Sequence, residues 1–233
     1  MPLFLTGILK KMIHVLIADD HDILRAGLKH ILHETGDIVV AGEASDGFQV
    51  LDLVRSGQWD ALVLDLTMPG KSGIELIRQI KGEYPRLPIL ILSMHKEDLY
   101  AVRSLKAGAS GYLCKDSAEA LLAQAIRKVV SGGLFVNQAV AEKLALDMLA
   151  GPGNGPAHSR LTDREYQVFI LIARGHGVTE IARELNLSVK TISTHKTRIL
   201  EKMNLSNTAD LIHYAIHNQL IGSPDGLGTL DAH

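Results

Sequence analysis

Short apolar runs alternate with amphipathic segments through the first part of the chain. Ile13 to Ala18, Asp37 to Ala44, Asp60 to Asp65, Leu87 to Ser93 and Gly111 to Cys114 are rich in Val, Ile and Leu. Gly, Pro, Asp or Ser bounds each run, and the pattern predicts five strands. Most runs are apolar on both faces, which predicts a parallel sheet covered by helices on each side. Between them, helical spacing puts Ile23, Leu24, Leu28, Ile31 and Leu32 on one face, and Ile74, Ile77 and Ile80 on another. A further helix is expected from Ser117, where Glu119 and Ala120 approach a capping pattern, to Gly132 as its C′ residue. Five βα units predict the α/β class, a doubly wound five-stranded parallel sheet with ligands outside the carboxyl ends of its strands.

The pattern then changes. A helix from about Asn137 to Leu149 leads into Ala150 to Ser159, which is rich in Gly, Pro and Asn and lacks periodicity. That segment reads as a linker. Beyond it no strand is expected. Leu161 to Gly175, Thr179 to Leu185, Ser188 to Met203 and Asn207 to Leu220 read as four helices. The expected organisation is therefore a first domain over 12–134, a linker helix and flexible linker over 135–159, and a small all-α domain over 160–222. Residues before Met12 read as an ill-ordered extension or an over-extended start, and the tail from Gly222 as disordered.

Composition changes this picture little. The net charge of -2 does not advertise a nucleic-acid binder, although it can hide asymmetry between halves. The single cysteine, Cys114, excludes an internal disulfide framework and fits a reducing compartment. No apolar run approaches the roughly 18 residues that span a bilayer. Near the N-terminus Lys10 and Lys11 follow the apolar residues, the wrong order for a secretory signal. The expectation is a cytoplasmic protein with no membrane partner.

The chemistry gathers at one sheet edge. Asp19 and Asp20 follow the first strand, and Asp65 ends the third. In the doubly wound order those strands are neighbours, so three carboxylates would share a crevice. Their mutual repulsion demands a hard cation, with Mg²⁺ the natural choice for oxygen ligands. Ser93 ends the fourth strand and Lys115 follows the fifth. A lysine and a hydroxyl there can neutralise and hold phosphoryl oxygens. The assembled chemistry is phosphoryl transfer onto Asp65.

Residues 13 to 131 resemble a response-regulator receiver domain through "VLIADDHDILRAGL", "LVLDLTMPGKSGIEL", "ILILSMH" and "AGASGYLCKD". The resemblance implies that Asp65 is phosphorylated by a sensor histidine kinase. It implies that Asp19, Asp20, Asp65 and the backbone carbonyl of Thr67 organise Mg²⁺, and that Ser93 and Lys115 contact the phosphoryl group. Tyr112 matches an aromatic that moves with Ser93 to report phosphorylation. Thr67 and His95 match positions that tune phosphoryl lifetime. Asp116 departs from a common Pro and matches the branch with a DNA-binding output.

In the C-terminal part, Ser188 is a suitable N-cap for a second helix after a short turn. Ile192, Ile199 and Met203 would share its inner face, with Lys190, Ser193, Thr194 and Thr197 opposite. Such an outer face suits a major groove, with His195, Lys196 and Arg198 on the flanks near phosphates. From Ala157 to Gly222 eight Lys and Arg stand against six Asp and Glu, a modest excess. "LTDREYQVFILIARG" and "EIARELNLSVKTISTHKTRILEKMNL" resemble the LuxR-type helix-turn-helix, with Glu165 and Asn207 at family positions and Val178 and Thr208 as departures. Together the two resemblances imply a NarL/FixJ-type two-component response regulator, a phosphoacceptor with at most self-phosphorylation and self-dephosphorylation activity. Its partners would be double-stranded DNA, the kinase, a second copy when phosphorylated, and RNA polymerase. Two rivals stand beside it. One is a regulator whose receiver dimerises without phosphate. The other is an aspartyl-phosphate phosphatase, which would want an acid where Thr67 stands.

Overall fold

The computed structural model describes residues 12–68, 73–94, 98–150, 156–218 and 220–221. The segment before Met12, His95, the Pro69-Gly70 turn and the tail from Gly222 lie outside them. The chain divides into two compact units, the first holding all the strands and the second the last four helices.

In the first unit, β1 (Ile13–Ala18), β2 (Ile38–Ala44), β3 (Ala61–Asp65), β4 (Ile89–Ser93) and β5 (Gly111–Cys114) form one parallel sheet. Its order is β2-β1-β3-β4-β5, as the doubly wound expectation requires. Every residue of the inner strands β3 and β4 is buried, whereas the edge strand β2 alternates. The helices are α1 (Asp22–His33), α2 (Gly47–Ser56), α3 (Gly73–Glu83), α4 (Asp98–Lys106) and α5 (Ala118–Val130); α6 (Gln138–Ala150) follows, and the division between the two units falls within it, after Ala141. One core layer packs Leu28 and Leu32 of α1 and Leu122 and Ile126 of α5 against Val15, Val63 and Leu92 of the sheet.

Two expectations about these helices need correction. Ile23 is 90% exposed, so it does not share the buried stripe of Leu28 and Leu32. It stands in the first turn of α1 and lines a groove of about 490 Å³ with Leu24, Ile31, Met94 and Ala118. Ser117 makes no side-chain capping bond to α5. Residues Lys115–Ser117 form a 3-10 turn, which leaves Ser117 at φ -103, ψ 2, outside the extended conformation a capping side chain needs. At the other end of α5, Gly132 has φ 85, the left-handed geometry of a C′ glycine.

Gly111 has a positional reason. A Cβ there would stand 2.9 Å from the Phe135 carbonyl oxygen. Its absence lets the Phe135 segment pair with β5, and the N–H of Tyr112 donates to that carbonyl at 2.8 Å.

The second unit contains α7 (Asp163–Ala173), α8 (Val178–Glu184), α9 (Val189–Met203) and α10 (Thr208–His217). Tyr166 and Phe169 of α7, Ile192 and Ile199 of α9 and Leu211 of α10 are buried. A 3-10 turn, Ala157–Arg160, precedes α7. Its His158 is buried, with Nδ1 2.9 Å from the Tyr214 hydroxyl. The sequence reads His158 as linker, because a lone histidine in a Gly- and Pro-rich run carries no periodic signal.

Candidate functional site

The carboxyl ends of β1 and β3 bring the acids together. Ala18 pairs with Leu64, so Asp19 and Asp65 leave adjacent strands at the same level. Each is 1% exposed. One ligand atom from each of Asp19, Asp20, His21 and Asp65 lies within 4.8 Å of the others. Lys115 reaches this cluster from the turn after β5, its Nζ 2.6 Å from Asp19 Oδ2 and 2.9 Å from Asp65 Oδ2. Burial alone would lower the pKa of its ammonium. The hydrogen bonds and negative charges of Asp19 and Asp65 outweigh that and raise it.

Around Asp65 the local chain folds back on itself. Thr67 Oγ1 lies 3.1 and 3.0 Å from the two carboxylate oxygens, and the Thr67 N–H donates to Oδ1 at 3.3 Å. Ser93 is fully buried at the end of β4, one residue beyond Leu92, which pairs with Asp65. Tyr112 lies on β5, 9% exposed, two strands from Asp65. The expected set Asp19, Asp20, Asp65 and Lys115 therefore converges, and Ser93 stands at the same edge.

Three features were not legible as site features. His21 donates its backbone N–H to Asp19 Oδ1 at 2.8 Å, and its Nδ1 lies 3.0 Å from one oxygen of Asp19 and one of Asp20. The Thr67 hydroxyl, expected only as a modulator, sits directly on Asp65. Arg25 donates to the Asp19 backbone carbonyl from α1. "ADDHDILR" contains all the residues needed to suspect His21 and Arg25, but nothing in their spacing says which way they turn.

The donor set tests the metal expectation. Three carboxylates face one ammonium, two of the acids are almost wholly removed from water, and the anionic donors are all oxygens. Such a set fits a hard divalent cation.

The second site is a helix surface. Ser188 caps α9, its hydroxyl accepting from the Thr191 N–H at 3.0 Å. Ile192, Ile199 and Met203 are buried, as the spacing predicts. Lys190, Ser193, Thr194, Thr197 and Arg198 are exposed, so α9 presents a polar face with basic residues and no acid between Lys190 and Arg198. Ser193, Thr194 and Thr197 donate back to the carbonyls of Val189, Lys190 and Ser193, which leaves their hydroxyl lone pairs outward. Lys196 is half-buried at the flank.

His195 departs from the expected flank position. It is half-buried, and Nδ1 is sealed from solvent without a hydrogen bond. Burial first, then the positive charges of Arg164 and Arg198, lower its pKa, with Glu165 opposing. Its spacing, three after Ile192 and four before Ile199, is that of the inner face, so the sequence held the signal.

Glu165 anchors the scaffold beneath α9. It completes a capping box with Thr162 and accepts from Lys202 Nζ at 2.7 Å. Burial would raise its pKa, but the bonds from Lys202 and Thr162 lower it.

Known proteins resemble both halves. Residues 15–127 match the family described as response regulator receiver domain, and residues 159–215 match bacterial regulatory proteins of the luxR family. The response regulator UvrY of Escherichia coli K12 is 35% identical over 209 residues, covering 90% of this chain and 96% of that protein. The oxygen regulatory protein NreC of Staphylococcus carnosus is 34% identical over 213 residues, covering 89% and 98%. Among solved structures, RcsB of Salmonella typhimurium is 30% identical over 89% of this chain and 98% of its own, with a TM-score of 0.65. An RcsB–DNA complex is 31% identical over 88% and 98%, with a TM-score of 0.56.

Proposed function

The chain belongs to the response regulators that join a receiver domain to a LuxR-type DNA-binding domain, and on that premise we propose that Asp65 is its phosphoacceptor. The observation that carries the reading is the cluster of Asp19, Asp20, Asp65 and Lys115 at the carboxyl edge of the sheet, with Asp19 and Asp65 buried. A carboxylate oxygen of Asp65 attacks the phosphorus of a phosphohistidine on a sensor kinase, or of a small phosphodonor. The bond from phosphorus to the donor breaks, and its electron pair leaves with the donor.

Lys115, already held by Asp19 and Asp65, then gains the phosphoryl group as a further anion, and its ammonium moves toward the phosphoryl oxygens. The hydroxyl of Ser93 donates to another, and Tyr112 follows as β4 and β5 adjust. Thr67 would release Asp65 on one side, and Asp19, Asp20, Asp65 and the Thr67 backbone carbonyl would hold Mg²⁺. When bound, Mg²⁺ neutralises the charge that develops on the transferred group. Self-phosphorylation from small donors and self-dephosphorylation use these same groups.

Phosphorylation replaces the single negative charge of the Asp65 carboxylate with the roughly -2 of an acyl phosphate, whose oxygens also stand farther into the crevice. That change biases a two-state equilibrium of the receiver toward a homodimer, and the dimer binds DNA through α9. Lys190, Ser193, Thr194 and Thr197 read the major groove, with Lys196 and Arg198 on phosphates. His195 supports the helix from within. A symmetric dimer reads paired half-sites in double-stranded DNA. RNA polymerase is the further partner that bound regulator addresses, and the cytoplasm is where kinase, DNA and polymerase meet. Among the described residues no helix is long and apolar enough to cross a membrane.

The test is phosphoryl incorporation. Incubation with acetyl phosphate and Mg²⁺ adds the mass of one phosphoryl group to the wild type and none to Asp65→Ala. Equal labelling of both would remove Asp65 from the role.

A further inference from the structure

The acid pair sits on the short link between β1 and α1, and its usefulness depends on how that backbone is held. Both backbone groups of Asp19 are bonded. The N–H donates to the Ala44 carbonyl of β2 at 3.1 Å. The carbonyl accepts from Arg25 Nη1 at 2.5 Å. The peptide plane that links Asp19 to Asp20 is thereby fixed at its oxygen.

Arg25 does more than make that one bond. Its Nη2 donates to Asp22 Oδ1 in the first turn of α1, and its Nε lies 3.4 Å from Glu43 Oε2 on β2. Only 14% of the side chain is exposed. Glu43 in turn accepts from Lys29 Nζ at 2.5 Å. The guanidinium fork therefore joins three pieces of structure: the acid-bearing link, the start of α1 and the neighbouring strand. A lysine cannot copy this, because one ammonium nitrogen cannot make both the Nη1 and Nη2 bonds and also stand beside Glu43 as Nε does.

We infer that Arg25 is a positioning residue of the phosphorylation site, setting through the Asp19 carbonyl the peptide plane from which Asp20 projects into the crevice. The inference rests on the reading that Asp19, Asp20 and Asp65 hold a divalent cation. Arg25 touches neither that cation nor the phosphoryl group. Its contribution is that the two carboxylates already stand at their working positions before the cation arrives.

The rival is a plain ion pair tying α1 to β2. Glu43 separates the two accounts, because Glu43→Gln weakens the tie to β2 and leaves the bond to the Asp19 carbonyl. Mg²⁺ binding to the full chain is measured by calorimetry for wild type, Arg25→Ala, Arg25→Lys, Glu43→Gln and Asp20→Asn, with thermal melting alongside. Arg25→Ala is expected to raise the Mg²⁺ dissociation constant about 10-fold, within the range for lost outer-shell partners. Glu43→Gln is expected to stay near wild type in affinity even where its melting temperature falls. Arg25→Lys is expected to recover melting temperature more than affinity. Amide exchange over residues 19–21 should speed up in Arg25→Ala and not in Glu43→Gln.

Equal affinity changes in Arg25→Ala and Glu43→Gln, or none in either, would reduce Arg25 to a structural tie. If Arg25→Ala does not fold, the comparison of Arg25→Lys with Glu43→Gln decides the matter by the same criterion. Wild-type Mg²⁺ binding that Asp20→Asn abolishes keeps the cation reading standing whatever Arg25 does. Absence of such binding overturns that reading and this inference together.

Discussion

Lys115 is the residue on which the buried acids depend. Without a cation, its ammonium is the charge that lies between Asp19 and Asp65, at 2.6 and 2.9 Å. Removing one partner of such a cluster leaves the others unpaired in a poorly solvated place. Lys115→Met is therefore expected to lower the melting temperature of the receiver in chelator, and Mg²⁺ should restore more stability to it than it adds to wild type. Thermal melts with and without Mg²⁺ check this. His195 gives the contrasting case of a group that burial keeps neutral. Its folded pKa is lowered, so the unfolded chain binds the proton first as pH falls. Stability is fully present above the ordinary histidine pKa of about 6.5 and is lost progressively below it. Denaturant melts at successive pH values should show that loss, and His195→Gln should flatten it.

The elements show what periodicity can and cannot say. The inner strands were legible because both their faces are buried, and a run such as "ALVLD" has no other economical place to go. The partners Asp65, Ser93 and Lys115 were legible because each directly follows or ends a strand. Ile23 was misread because apolar spacing marks a stripe but not where its cover ends, and the first turn of α1 lies at an open groove. Ser117 was misread because the 3-10 turn before α5 consumes the backbone geometry a cap requires. Where caps do form, they carry measurable stability. Ser188→Ala removes the bond to the Thr191 N–H and should cost about 1 kcal/mol, read by chemical denaturation. Asp65→Ala, far from this helix start in sequence, should leave that value unchanged.

At the scale of the molecule, two chemistries are separated along one chain. The first unit concentrates buried negative charge at a sheet edge, and the second exposes a polar face with basic residues on α9. The chain's near-neutral total hides both, which is why net charge alone did not point to nucleic acid. Coupling between them is an equilibrium claim, and a phosphoryl group can shift it only by differing in its interactions with the two states. Light scattering should therefore report a larger average mass after acetyl phosphate and Mg²⁺, with no change for Asp65→Ala. The most direct measurement uses DNA enriched by selection on the phosphodonor-treated protein and follows its binding by fluorescence anisotropy. Wild type should bind that DNA more tightly after treatment, and Asp65→Ala should bind it weakly with or without treatment. An Asp65→Ala protein that binds as tightly as treated wild type, and ignores the phosphodonor, would contradict the account and leave a regulator that needs no phosphate.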